Sequence, residues 1–413
     1  MTEHPAPNQD APKPAGADPV RRPTPVSSPA SYPTTTSASP LPGADDTQAL
    51  APPDEFKNMV KAAASSTELP VVEASAALPP AEIATGALVG NYRIRERLGR
   101  GSMGETYLAE QPASGEMVAI KFLNRGASRR WTARFDREVR CQSAVQSPYT
   151  VTCQGAGIFE GRRYMVLQYV PGVNLHILLK QLPTRRLAEE RALRISYQVL
   201  KALQALETQS FLHRDIKPQN VLISGQDNVH LSDFGLVRDL KEPPDDPTKP
   251  PEERRITPPN TTLGTAEYMS PEQSLGAELD IRSDLYSLGA VLYRSLTGVP
   301  PFRGATTAQT LELVIQKPLT PVRELNPDVA PRTARLVERL LSKKRNDRPR
   351  TTGEVEGEML ACFKEARQSV RARAIEEEQV RERTRAPLAV GLAIVGISFV
   401  IGFVTALVLH YVR

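Results

Sequence analysis

The chain of 413 residues carries 52 Lys and Arg against 47 Asp and Glu, a formal net charge of +5, with 37 Pro and 3 Cys. Its basic residues are dispersed instead of forming one long run with interleaved aromatics, which argues against a nucleic-acid-binding protein. Cys141, Cys153 and Cys362 stand in no CxxC or Cys/His pattern, so neither a disulfide framework nor a zinc site is expected and a reducing compartment fits best.

Residues 1–88 are crowded with Pro, Ala, Ser and Thr. Such a composition buries too little apolar surface to offset the entropy of ordering, and predicts a disordered arm. Within it, 53–65 reads as a short helix or as a transient turn. No charged stretch followed by an apolar one opens the sequence, so no secretory signal peptide is expected. From Tyr92 the pattern changes to alternating strands, YRIRERLG, GETYLAEQ and EMVAIKFL, separated by Gly-containing turns. WTARFDREVRCQSAV then reads as a helix, and from about 187 onward apolar residues recur at helical spacing, as in RALRISYQVLKALQALE and DLYSLGAVLYRSLTG. A strand-rich smaller part therefore precedes a helix-rich larger one.

Residues 366–386 are so charged that they read as a solvated helical linker. Residues 387–409 contain no Asp, Glu, Lys or Arg, and at about 1.5 Å per residue they reach across a hydrocarbon core of about 30 Å. A buried core helix is the competing reading, but soluble helices keep a polar face. Arg381, Arg383 and Arg385 before the span, against His410 and Arg413 in the tail 410–413, predict a single-pass membrane protein with everything before the span in the cytoplasm. Ser398, Gly402 and Ala406 recur every four residues, a small-residue stripe that pairs helices or is simply common membrane composition.

Gly99, Gly101 and Gly104 have GxGxxG spacing, a weak signal shared with dinucleotide-binding folds. There a helix opens at the last glycine; here the β-formers of ETYLAEQ make the glycines a hairpin lid whose amides can approach phosphate oxygens. Lys121 sits inside an apolar strand and needs an anionic partner, which Glu138 on the following helix can supply. FLHRDIKPQNVLIS places His213, Arg214, Asp215, Lys217, Gln219 and Asn220 together before an apolar strand, and LSDFGLV places Asp233 after another. The amide oxygen of Asn220 and the carboxylate of Asp233 can hold Mg²⁺ alongside phosphate oxygens.

In this order, with VAIK ending at Lys121, HRDIKPQN at 213–220, DFG at 233–235, GTAEYMSPE at 264–272, Asp284 in RSDLYSLG and Arg348 in DRP, the chain resembles the eukaryotic-type (Hanks-type) protein kinases, in particular the bacterial membrane-bound Ser/Thr branch. The resemblance implies an α+β, two-lobed kinase fold over 89–365, with a β-rich N-lobe and a helical C-lobe. It further implies an ATP- and Mg²⁺-dependent (or Mn²⁺-dependent) enzyme that phosphorylates Ser and Thr of protein substrates. Asp215 then accepts the substrate hydroxyl proton, Lys217 neutralises the phosphoryl in transfer, and Asn220 and Asp233 hold the metal. The nucleotide site takes in Leu98, Gly99, Gly101, Gly104, Thr106, Ala119, Lys121, Glu138, Gln168 and Val170. Lys217 and Thr265 point to the Ser/Thr branch, Thr265 by bracing Asp215 and Lys217. Glu272 with Arg348 resembles the family's buried ion pair, and Asp284 the residue that bonds the catalytic-loop backbone.

Four positions depart from the family pattern: Thr106 for a valine, Ala266 for a proline, Ser270 for an alanine and Gln168 for an acidic hinge residue. None removes a catalytic group. Arg214 directly precedes Asp215 and resembles arginines that pair with a phosphorylated activation segment, so Thr261 or Thr262, then Thr257, are expected phosphosites. His176, Trp131, Tyr286, Tyr293 and the cysteines read as packing residues. Two other functions are carried alongside: a pseudokinase scaffold that recruits partners through the fold and the Pro-rich arm, and a small-molecule phosphotransferase, against which the GTAEYMSPE segment argues. A homodimer through the small-residue stripe would favour phosphorylation of one activation segment by the other.

Overall fold

The structure, a computed structural model, describes residues 82–101, 103–240 and 263–411, without the side chains of 263, 372–378 and 380–394. Thr257, Thr261, Thr262, most of the N-terminal arm and the end of the tail lie outside the described residues.

Strands β1 (Leu88–Val89), β2 (Tyr92–Arg100), β3 (Gly104–Gln111), β4 (Glu116–Leu123), β5 (Cys153–Phe159) and β6 (Arg162–Gln168) form one sheet in the order β1-β2-β3-β4-β6-β5. Every pairing in it is antiparallel. Helix α1 (Arg129–Ala144) follows β4. The alternation of EMVAIKFL sorts its residues between two faces. Val118, Ile120 and Phe122 are fully buried on one, while Ala119 and Lys121 stay half-buried on the other.

The buried face is closed by residues that composition alone assigns to the arm. Ile83 and Val89 are buried against Ile94, Tyr107 and Phe122, and the Gly86 and Ile94 amides donate to the Ile94 and Ala87 carbonyls at 2.8 and 2.9 Å. Each such burial contributes about 1.5–3 kcal/mol. The folded part therefore begins by Glu82, and two well-placed apolar residues outweigh the Pro/Ala-rich texture before them. Gly104 has a packing reason of its own, since a Cβ there would lie 1.8 Å from the Phe122 carbonyl oxygen.

After β7 (Gly172–Asn174) come helices α2 (Leu175–Gln181) and α3 (Glu189–Thr208), then short strands β8 (Phe211–Leu212), β9 (Val221–Ser224), β10 (Asn228–Leu231) and β11 (Arg238–Asp239). The helical part continues with α4 (Leu263–Ala266), α5 (Pro271–Ser274), α6 (Ile281–Thr297), α7 (Thr307–Gln316), α8 (Val322–Leu325), α9 (Pro331–Leu340) and α10 (Thr352–Tyr411). Helix α6 is buried along almost its whole length, with Tyr286 and Tyr293 in the core as their helical spacing predicts. It crosses α9 so closely that a Cβ on Gly289 would meet Leu340 Cβ at 2.7 Å. Cys141 and Cys362 are buried, whereas Cys153 is only half-buried.

The pairing of the short strands places the chemistry. β8 pairs with β11 and β9 with β10, so segments 213–220 and 232–237 are fastened at both ends and run side by side.

Helix α10 begins in the helical core, with Val355, Met359 and Cys362 fully buried, and its backbone continues unbroken through the predicted linker and span to Tyr411. Among the described residues no helix is long and apolar enough to cross a membrane, so the expected membrane helix finds no support there. The first part of the predicted span, 387–394, lies outside the residues whose side chains are described.

Candidate active site

Each predicted residue on the open face of the sheet has a structural reason to be there. Gly99 pairs with Thr106 and Thr106 with Lys121 across β2, β3 and β4. Leu98, Thr106, Ala119 and Lys121 are all half-buried, the exposure of residues that line a cleft. The tip between them is closed by Gly101 N–H donating to Gly104 O at 2.8 Å. Gln168 turns its backbone N–H to the Thr152 carbonyl at 2.8 Å and accepts from the Thr152 amide on its side-chain oxygen at 3.5 Å. Its side chain is thus spent on a neighbouring segment, and Val170 lies two residues further along the chain.

Lys121 Nζ donates to Glu138 Oε1 at 2.6 Å and reaches Asp233 Oδ1 at 3.5 Å. Burial alone would lower the ammonium's pKa, but the two carboxylates outweigh it and push it up, so Lys121 stays a cation. For Asp233 burial pulls upward, yet the ammonium groups of Lys121 and Lys217 bring its carboxyl down to about 2. That carboxylate keeps 46 % of its surface open. An ionised, accessible carboxylate is the donor a hard cation requires.

Across the cleft, Asp215 is buried and its Oδ2 accepts from Lys217 Nζ at 2.8 Å and from Asn220 Nδ2 at 3.0 Å. Lys217 Nζ also donates to Thr265 Oγ1 at 3.2 Å. Burial works against the Lys217 charge, but Asp215 and Asp233 more than restore it. Asn220 Nδ2 donates in addition to the Asp215 carbonyl at 2.8 Å, leaving its amide oxygen for another partner. Ser232 joins the two loops, donating its N–H to the Asn220 carbonyl at 2.9 Å, and so places Asp233 beside Asn220. Asn220 and Asp233 are the oxygen pair predicted for the metal. Among the described residues no group of three or more His, Cys, Asp or Glu forms a metal cage. Two oxygens without a cage fit Mg²⁺ shared with phosphates.

The backbone of this loop is held by Asp284, whose two oxygens accept from the His213 and Arg214 amides at 2.8 Å each. Arg214 adopts φ 66° and Asp233 φ 64°, a region costly for residues other than glycine and kept only where surroundings enforce it. His213, fully buried, has its pKa lowered by burial in spite of nearby carboxylates. Its Nδ1 accepts from the Asp215 amide at 3.3 Å and its Nε2 lies 3.2 Å from the Ser232 carbonyl. These partners fix the neutral ring with its proton on Nε2. Gln273 donates to the Arg214 carbonyl at 2.9 Å, a support with no signal in the sequence. Glu272 and Arg348 form the buried pair expected, at 2.7 and 2.9 Å.

A two-lobed arrangement with a β-rich lobe over a helical one, a Lys–Glu pair in the first and an Asp–Lys–Asn cluster in the second, defines a protein kinase fold. Residues 92–358 match the protein kinase domain family, and the chain belongs to that family. The serine/threonine-protein kinase pkn3 of Myxococcus xanthus is 34 % identical over 286 residues, which covers 67 % of this chain and 50 % of that protein. Serine/threonine-protein kinase PknH of Mycobacterium tuberculosis is 30 % identical over 272 residues, 65 % of this chain and 41 % of that one. The chain thus spans half or less of these relatives' length. The crystal structure of the Mycobacterium tuberculosis PknI kinase domain aligns with a TM-score of 0.51 at 25 % identity, covering 68 % of this chain and 99 % of that domain.

Proposed function

We propose that the chain transfers the γ-phosphoryl group of ATP to Ser and Thr hydroxyls of proteins. The observation that carries this reading is Lys217 Nζ, placed between Asp215 Oδ2 and Thr265 Oγ1 in a loop that also presents Asn220. Both bonds to the Asp215 side chain fall on Oδ2, which leaves Oδ1 to orient a substrate hydroxyl and take its proton. Lys217, fixed at 2.8 Å from the base, meets the negative charge that develops on the transferring group. Lys121, held by Glu138, anchors the other phosphates, and the glycine loop covers them with backbone amides. Asn220 and Asp233 would hold Mg²⁺, which when bound supplies charge neutralisation between phosphates. Phosphoryl transfer needs positioning and electrostatic stabilisation more than covalent help, and these groups supply both. Retention of every one of them speaks against a pseudokinase scaffold.

The activation segment would be a substrate of the same site, with Thr261 or Thr262, then Thr257, paired to Arg214 once phosphorylated. The C-terminal helix would tether the enzyme to a membrane, with the kinase part on the cytoplasmic side. The uncharged stretch 387–409 supports this, as do the apolar side chains of its described end, Phe399 being 79 % exposed and Phe403 63 %. A soluble surface rarely leaves such a run open. Ser398, Gly402 and Ala406 would then pair two chains.

The test is to incubate full-length protein in detergent with labelled ATP, with and without Mg²⁺, and to map phosphosites by mass spectrometry. Phosphorylated Ser or Thr that disappears with EDTA and returns with Mg²⁺ or Mn²⁺ is the expected result. No transfer to any hydroxyl on this chain or on a generic protein substrate would overturn the reading.

A further inference from the structure

Glu105 lies between Gly104 and Thr106 on the strand that leaves the glycine loop, and it faces away from the cleft, under residues 82–90. Its side chain is 3 % exposed, as is that of Arg162 at the start of β6. Arg162 donates Nη2 to Glu105 Oε2 and Nε to the Leu123 carbonyl, both at 3.1 Å, and its guanidinium lies 5.2 Å from the Phe122 ring centre. Arg97 and Arg100, on the strand that enters the loop, approach Glu105 Oε1 at 3.8 Å each. Tyr107 donates its hydroxyl to Glu105 Oε2 at 3.3 Å and accepts from the Ile83 amide at 3.4 Å. Glu82 completes the chain of contacts with an ion pair to Arg97.

A buried ion pair stabilises a fold poorly, because desolvation offsets most of its attraction and apolar residues of similar size do as well. What one carboxylate on β3 with arginines from two other strands, β2 and β6, does supply is geometry. Glu105 and Arg162 tie β3 to β6, and Arg97 and Arg100 bring in β2. The two strands flanking the glycine loop are thereby held to one point on the face opposite Thr106 and Lys121. Neither Glu105 Oε1 nor Arg162 Nη1 has a hydrogen-bond partner, so Arg97 and Arg100 hold Glu105 Oε1 by charge, at 3.8 Å each.

We infer that Glu105 is a positioning residue for the phosphate-gripping loop: through Arg97, Arg100 and Arg162 it sets the spacing of the loop's two arms, and through Tyr107 and Ile83 it connects them to the segment where the N-terminal arm joins the sheet. The inference rests on the ATP-dependent reading above.

The experiment compares full-length wild type, Glu105→Gln and Arg100→Gln by calorimetric titration with ATP and Mg²⁺, by hydrogen exchange of the 99–104 amides without nucleotide, and by KM for ATP and for a Thr peptide. Glu105→Gln should weaken ATP binding about tenfold, the scale of one hydrogen bond to a charged group, with faster exchange in 99–104 and an unchanged KM for peptide. Arg100→Gln, at a half-exposed position, should move the same readouts less. A Glu105→Gln protein of wild-type melting temperature that binds ATP and exchanges as wild type does would overturn the inference. So would equal losses of ATP and peptide affinity. If Glu105→Gln does not fold, Arg100→Gln decides: weaker ATP binding with faster loop exchange supports the inference, and wild-type values refute it. Wild type that fails to bind ATP sinks the kinase reading and this inference together, whereas normal wild-type binding with unchanged variants sinks this inference alone.

Discussion

Two buried ion pairs, one in each lobe, are built in opposite ways. Arg348, wholly buried beside Glu272, makes five hydrogen bonds: one to each Glu272 oxygen and one each to the Ser342, Arg282 and Lys343 carbonyls. Ser283 donates to the same carboxylate at 2.7 Å. Nothing in this pair is left to bind anything else. Lys121 and Glu138 are also deep, but Glu138 Oε2 has no hydrogen-bond partner, and Lys121 stretches toward Asp233 at 3.5 Å. A saturated buried pair holds structure, whereas an unsaturated one is less firmly held by its own lobe and is a candidate functional group.

Breaking the saturated pair gives the largest stability effect. Arg348→Met leaves Glu272 buried without its partner, and urea melts should show a loss of about 3–5 kcal/mol, with activity falling only as the folded fraction falls. At the unsaturated pair the balance reverses. Lys121→Met should lower kcat on the order of 10²–10³-fold through the lost phosphate contact. Its melt should move less than that of Arg348→Met, since burial already pushes the Glu138 carboxyl up against the pull of Lys121 and the acid can take a proton. A melt shifted as far as that of Arg348→Met would erase the distinction between the pairs.

A smaller effect is expected at Thr265. Thr265→Val removes one of the two acceptors around Lys217, and kcat should fall about tenfold, as for one bond to a charged group, with the melt unchanged. The smallest effect is in acid. Asp233 is held at about 2, below its ordinary 3.8. A depressed carboxylate stabilises the folded state above its unfolded pKa and loses that contribution as pH falls through the folded one. Stability should therefore decline between about pH 4 and pH 2, and Asp233→Asn should flatten that decline in acid melts.

What the sequence made legible was whatever is written contiguously. Asp215, Lys217 and Asn220 lie within six residues, and Asp233 follows an apolar strand, so their meeting needed only strands β8 to β11 to fasten two loops. Lys121 and Glu138 were legible because a lysine in an apolar strand demands a partner. Gln273 was not, since a glutamine in a short helix looks like any surface polar residue until its amide is found 2.9 Å from Arg214 O. Glu105 had a faint signal: the two-residue period of GETYLAEQ puts it on the same face as Tyr107 and Ala109, both buried. Its partner Arg162 lies 57 residues along the chain, beyond β4, α1 and β5, a distance no local pattern spans. The segment from Glu82 to Val89 was hidden by its neighbours, because composition averages over a window and two apolar side chains do not.

The most direct measurement is single-turnover phosphoryl transfer by the full-length Asp215→Asn protein at saturating ATP and Mg²⁺, with ATP affinity determined alongside. If Asp215 orients the hydroxyl and takes its proton, transfer falls on the order of 10²–10⁴-fold while ATP binds as it does to wild type. A variant that binds ATP normally and transfers phosphate within about tenfold of wild type, less than loss of a positioned base allows, would contradict that role.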